Sequence, residues 1–212
     1  MSSIEKRRVQ INDNKTRPTS KWLIPIPILG VLSYAILFLI AKTKYAGGLE
    51  EYHMDKDLMC DIMEKVSKGG FSNVARPIAV TGHILLFIGM TTFFYLLPRI
   101  FNKRNINMRI FQISGMISMV LLLFVFTDYH DILVLFAGVA GFICCIPLIY
   151  EYSKLRVSSH KVIAIICLAL SLIAFLSYQT KIGFTYFPIF QKFVFVLDGI
   201  WVFLVCRQLR SQ

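Results

Sequence analysis

Two ionisable side chains sit where such groups are costly. His83 and Asp198 each fall inside a long hydrophobic run, and a polar group inside hydrocarbon needs a partner or a purpose. His83 lies about six residues, or roughly 9 Å, from one end of its run, and Asp198 about eleven residues, or roughly 16 Å, from the corresponding end of another. Arg76 precedes His83 by seven residues and Gln191 precedes Asp198 by seven, so on a helix each pair shares a face. The short segment Thr127-Asp-Tyr-His-Asp131 adds Asp128, His130 and Asp131 at the same membrane face. Arg76, His83, Asp128, His130, Asp131, Gln191 and Asp198 therefore form a candidate polar pocket.

Three chemistries fit these residue types. The pocket can bind a lipid headgroup or small ligand without turnover. Asp198, with His83, can take up a proton or cation during transport. His83, Asp128 and His130 carry the donor types of a metal site that activates water in a membrane hydrolase. The chain has no HxxxH or HExxH spacing to support that third reading. Purely architectural roles compete with all three. Asp198 can hydrogen-bond a neighbouring helix, Asp128 and Asp131 can cap the helix that follows them, and His130 can be an exposed turn residue. No GxSxG, P-loop, GxGxxG, Cys/His zinc pattern or cofactor motif is present, so a non-enzymatic role is favoured and no cofactor is expected.

The elements that must position these residues follow from hydropathy. Of 212 residues, 56% are hydrophobic and the mean hydropathy is +0.64. A hydrocarbon core roughly 30 Å thick needs about 17–25 apolar residues per helix. Six stretches satisfy this: 22–41, 77–97, 110–126, 132–150, 162–178 and 187–206. The expected fold is an all-α bundle of six transmembrane helices. A tail over 1–21 precedes the 22–206 membrane domain, whose first external loop is 42–76, and a short tail over 207–212 follows it. The first span reads as an uncleaved signal anchor, having a basic leader but no small-x-small cleavage site.

Charge fixes the orientation. The +11 net charge flanks the spans rather than forming a recognition helix, which speaks against nucleic acid. Lys6, Arg7, Arg8, Lys15, Arg17, Lys21, Arg99, Lys103, Arg104, Arg109, Lys154, Arg156, Lys161, Arg207 and Arg210 all fall on one side of the implied membrane. On the other side, the first loop balances six basic residues with six acidic ones. Positive charge is retained in the cytoplasm. Both termini are therefore expected there, with the chain multi-pass in the plasma membrane and residues 1–20 touching anionic lipid.

Within the first loop, Leu58, Met59, Ile62, Met63 and Val66 recur at helical spacing. Asp55 and Asp57 stand at one end, and Lys65, Lys68 and Gly69-Gly70 at the other, predicting a short amphipathic helix over 55–68. Ala137 and Gly141, four apart in span four, permit close helix packing, either within the bundle or as a seam between two copies. Of five cysteines, only Cys60 lies in a long loop, so no disulfide framework is implied.

The words Tyr45-Ala-Gly-Gly48, Cys60-Asp61-Ile-Met and Gly70-Phe-Ser-Asn73-Val-Ala75-Arg76-Pro77-Ile-Ala79, with Gln191-Lys192 opening the last span, resemble a bacterial group of six-span membrane proteins. That group is annotated only as a domain of unknown function and is distantly similar to Frag/DRAM/Sfk-type proteins. The resemblance implies a six-helix fold in the plasma membrane, and it implies no reaction.

Overall fold

The computed structural model describes residues 21–48, 51–101, 105–154 and 159–211; the basic segment before residue 21 lies outside them. Six helices within these residues are long and apolar enough to cross a membrane. They are α1 (Pro25–Lys44), α2 (Arg76–Leu96), α3 (Ile106–Leu123), α4 (His130–Ser153), α5 (Ser159–Thr180) and α6 (Phe187–Arg210).

The helix starts follow local chemistry. Proline occupies the first or second position of α1, α2 and α6, where a missing N–H leaves no hydrogen bond unmade. The Asn105 side chain caps α3, accepting from the Met108 amide at 2.9 Å. Helix α4 continues through Pro147 to Ser153. Helix α1 ends in a left-handed turn at Ala46, Gly47 and Gly48, with φ of 47°, 69° and 80°. That conformation suits the two glycines and is held at Ala46 by full burial.

Each helix has an inward and an outward stripe. Helix α1 buries Pro27, Gly30, Tyr34, Phe38 and Ala41 and exposes Leu29, Leu32, Ile36 and Leu39. Helix α6 exposes Ile189, Phe193, Val196, Ile200 and Phe203. Large apolar side chains repeating outward at helical spacing are stable in lipid and not in water. Inside, packing replaces the hydrophobic drive. At the α1–α2 crossing, a Cβ on Gly30 would lie 2.8 Å from the Leu85 carbonyl oxygen and 3.0 Å from the Gly89 Cα. Only glycine permits this approach. Ala137 and Gly141 face α3 within the chain: Ala137 is buried, its carbonyl accepts from Ser118 Oγ at 2.8 Å, and the same hydroxyl stands 3.5 Å from a Cβ built on Gly141.

Two buried clusters divide the bundle along its length. One, at the basal end, joins Ile24, Phe93, Leu97, Phe101, Phe111, Leu148, Tyr152, Trp201 and Leu209. The other, at the opposite end, joins Tyr34, Phe38, Tyr45, Tyr52, Met59, Ile62, Met63, Ala75 and Leu86. The segment 51–75 belongs to this second cluster and forms a cap over it.

The cap is not the amphipathic helix expected over 55–68. It holds a single 3₁₀ turn, Asp61–Met63, and an isolated antiparallel bridge between Val66 and Ser72. The physical reason is competition for backbone groups. Asp57 Oδ2 accepts the His53 amide at 2.7 Å and Asp61 Oδ2 the Leu58 amide at 2.9 Å, so Asp57, expected at the helix start, and Asp61, expected within the helix, close turns instead. The expected apolar face survives in part. Met59, Ile62 and Met63 point down and are buried, whereas Val66 is 53% exposed.

Candidate functional site

Beneath the cap lies a cavity of about 460 Å³, within the range of small-ligand sites. Its walls follow helical arithmetic. Cys167, Ser171, Ala174 and Tyr178 line it from α5, Gln191, Val194, Asp198 and Trp201 from α6, and His83, Leu86, Phe87 and Met90 from α2. Gly115, Ser118, Met119 and Leu122 of α3 add a fourth wall. Tyr34 of α1 and His130, Val134 and Ala137 of α4 complete it, with Met59, Cys60 and Met63 of the cap as roof. A smaller cavity of about 270 Å³, lined by Glu64, Lys65, Thr127 and Asp128, shares Cys60, Met63, Val125 and His130 with the larger one. It forms a polar vestibule beside the cap.

The seven residues singled out from sequence divide into two groups. His83, His130, Gln191 and Asp198 line the main cavity; Arg76, Asp128 and Asp131 do not. Arg76 is a clamp, its Nε donating to the Met63 carbonyl at 2.9 Å and its Nη2 to the Phe126 carbonyl at 3.3 Å. Asp128 pairs with Lys65 at 2.9 Å on the surface, its side chain 83% exposed. The Lys65 hydrogen bond and charge hold the Asp128 carboxyl below its ordinary range. Neither Asp128 nor Asp131 caps α4, whose first residue follows Tyr129 without a side-chain cap. Asp131 Oδ1 instead accepts the Tyr178 hydroxyl at 2.8 Å, and His130 Nδ1 lies 3.1 Å from that carboxylate and 3.3 Å from Tyr178 Oη. An ionised Asp131 oxygen can only accept, so the contact with it calls for the hydrogen on His130 Nδ1.

His83 is 5% exposed. Its Nε2 lies 2.9 Å from the Leu122 carbonyl oxygen, which can only accept, so Nε2 carries the hydrogen. Leu122 stands in the last turn of α3, where its carbonyl also accepts the Val125 amide at 3.2 Å, so the His83 N–H takes its second lone pair. His83 thus ties α2 to the end of α3, and Phe87 packs 4.4 Å from its ring centroid. That bond removes Nε2 from metal binding. Among the described residues no three His, Cys, Asp or Glu side chains gather to hold a metal ion, and Asp128 is occupied by Lys65.

Asp198 stands apart. Ser171 Oγ donates to its Oδ2 at 3.2 Å, and the Cys167 thiol adjoins it. Among the described residues, Asp198 is the only carboxyl group lining the cavity, and no Lys or Arg lines it.

The roof is held by side chains bonded to main chain. Gln191 Oε1 accepts the Met59 amide at 3.0 Å, and Lys192 Nζ donates to the Asp57 carbonyl at 2.6 Å. The Tyr52 hydroxyl reaches the Leu58 carbonyl at 2.7 Å. Asn73, 5% exposed, donates to the Ile62 and Glu64 carbonyls and accepts the Ala75 amide. Lys68 Nζ bridges Asp57 and Asp61 at 2.6 and 2.7 Å. Burial works against the Lys68 charge, but the two carboxylates outweigh it and hold the ammonium above the ordinary lysine range. Burial, aided by Asp61, pushes the Cys60 thiol up to about 12.

Sequence reasoning passed over Ser171, Cys167, Asn73, Lys192 and the Gly30–Gly89 crossing. Ser171 carried a readable signal: it precedes Tyr178 by seven residues and follows Cys167 by four, a polar stripe on an otherwise apolar span. Asn73 carried none, because its role depends on how the cap folds. No protein-family model, curated protein or solved structure matches this chain, so its site is read from geometry.

Proposed function

We propose that the protein binds an apolar molecule, a lipid or a small ligand, in the capped cavity. The carrying observation is the cavity itself: about 460 Å³, walled by aliphatic and aromatic side chains, with a few polar groups at fixed depths. A void of this size inside a bundle forfeits packing energy, and a bound molecule would recover it. The basic residues flanking the basal ends of the helices favour a basal end in the cytoplasm and a cap that faces outward. The six-span group that the cap sequence resembles favours the plasma membrane. Asp198 at mid-depth also favours a transport reading, but in this conformation the basal cluster around Phe93, Phe111 and Trp201 closes the path. The hydrolase reading has weaker support, because its three residues are separately engaged.

The test uses Trp201, which lines the cavity, as reporter in a Trp22→Phe background. A neutral brominated probe, 11-bromoundecanol, should quench it saturably in the purified protein. Ala174→Phe, which fills the cavity from α5, should abolish saturation. Equal quenching in both proteins, or none in either, would overturn the reading.

A further inference from the structure

We propose that the cavity's ligand is an organic ammonium ion with an apolar body, its cationic nitrogen paired with Asp198. The proposal rests on the binding reading above and deepens it to a ligand class. Among the described residues Asp198 is the single carboxyl group lining the cavity, and Ser171 and Cys167 supply its polar company. Among the described residues no lysine or arginine lines the cavity. Of the two histidines that do, His83 donates to Leu122 and His130 is engaged by Asp131 and Tyr178. The cavity thus presents one acidic oxygen pair with no resident cation, inside hydrocarbon, where intramembrane acids pair with a base or serve a ligand.

The walls point the same way. Tyr34, Phe87, Phe94, Phe175, Phe195 and Trp201 line the cavity. Aromatic faces attract cations most strongly when water is excluded. A hard inorganic cation would find too few oxygens, since Asp198 and Ser171 fall well short of the six to eight that calcium takes or the octahedron magnesium demands. A carboxylate ligand would meet Asp198 as a like charge. An alkylammonium satisfies both features: the head meets the carboxylate and the rings, and the chain fills the aliphatic remainder. The vestibule carries the same sign, with Glu64 and Asp128 against one Lys65, so approaching cations are favoured there too.

The experiment compares three probes that share one brominated chain in the Trp22→Phe protein: (11-bromoundecyl)trimethylammonium, 11-bromoundecanol and 11-bromoundecanoate. The expected order of affinity is ammonium, alcohol, carboxylate, with the ammonium at least about tenfold tighter than the alcohol. Asp198→Asn, which keeps the shape, should remove the ammonium's advantage over the alcohol. Equal affinity for alcohol and ammonium in the protein with Asp198 intact would overturn the proposal without any variant, as would an ammonium preference surviving in Asp198→Asn. If no probe saturates, the cavity-binding reading fails; if the alcohol saturates without ammonium preference, only the ligand class fails.

Discussion

The two ends of this bundle are built on different principles. The basal end is filled. Phe93, Leu96, Leu97, Phe111, Leu148 and Val205 are fully buried, Phe93 meets Trp201 edge-on at 5.2 Å, and Phe101 meets Tyr152 at 5.0 Å. The capped end keeps a void beside its own buried cluster around Phe38, Tyr45, Tyr52 and Ile62, and adds side chains bonded to main-chain groups around that void: Arg76 on Met63 and Phe126, Asn73 on Ile62 and Glu64, Gln191 on Met59, Lys192 on Asp57. Directional bonds can hold a roof without filling the space beneath it, whereas dispersion contacts cannot. The difference teaches where to look for binding: at the end where hydrogen bonds to main chain supplement contact and leave space unfilled.

The harshest test of the filled end is Gly30→Val. Its Cβ would meet the Leu85 carbonyl oxygen and the Gly89 Cα, both backbone, so α1 and α2 must separate. A loss of about 3 kcal/mol or more is expected, read as failure to recover monodisperse protein in detergent. Normal recovery would mean that the crossing is looser than 2.8 Å implies.

A matched pair of truncations measures the contrast directly. Phe111, fully buried against Phe94 with ring centroids 5.4 Å apart, should lose about 3 kcal/mol on Phe111→Ala, because its site cannot collapse. Met119 lines the cavity on the same helix, and Met119→Ala only enlarges an existing void. Its cost should stay below about 1 kcal/mol. Thermal unfolding of the two variants side by side gives the answer, and equal losses would abolish the distinction between filled and hollow ends.

The roof comes next in size. Asn73→Ala removes a donor from the Ile62 and Glu64 carbonyls and an acceptor from the Ala75 amide, a cost of about 2 kcal/mol concentrated in the cap. Cys60 reports it. With its thiol pushed up to about 12 by burial, it should alkylate slowly at neutral pH in the intact protein and at least about tenfold faster in Asn73→Ala, by the same free-energy scale, as read by mass spectrometry of the Cys60 peptide. Unchanged alkylation would show that other clamps suffice.

How much of this was legible in the sequence depends on the range of the interactions. The six spans were readable because lipid imposes a length and an apolar composition on each helix independently. His83 and Asp198 stood out because each is a local violation of that rule. The cap was misread because Met59, Ile62 and Met63 do bury one face, as a helix would, while Asp57 and Asp61 bond local amides and end the helix before it starts. Arg76 looked like a pocket cation and serves as a clamp, because its partners are carbonyls at Met63 and Phe126 that no spacing rule can locate. The Gly30–Gly89 approach was overlooked in favour of Ala137 and Gly141, because its two glycines lie on different helices and share no motif.

The smallest expected effect lies outside both cohesive systems. Lys65 and Asp128 make a short ion pair in which both side chains stay well exposed, 63% and 83%, and a pair of that kind contributes little once water and salt screen it. Lys65→Met should therefore shift the thermal midpoint by no more than about 1 °C at neutral pH. Its pH signature has a definite sign. Lys65 holds the folded-state Asp128 carboxyl below its ordinary value, so whatever stability the pair adds is present above the unfolded aspartate pKa of about 3.9 and fades as pH falls through the lower folded value. Wild type and Lys65→Met should differ most above that range at low salt and converge in acid or in about 1 M salt. A large midpoint drop in Lys65→Met that survives high salt would place the pair among the clamps of the roof and move the boundary of the bonded end outward to the vestibule.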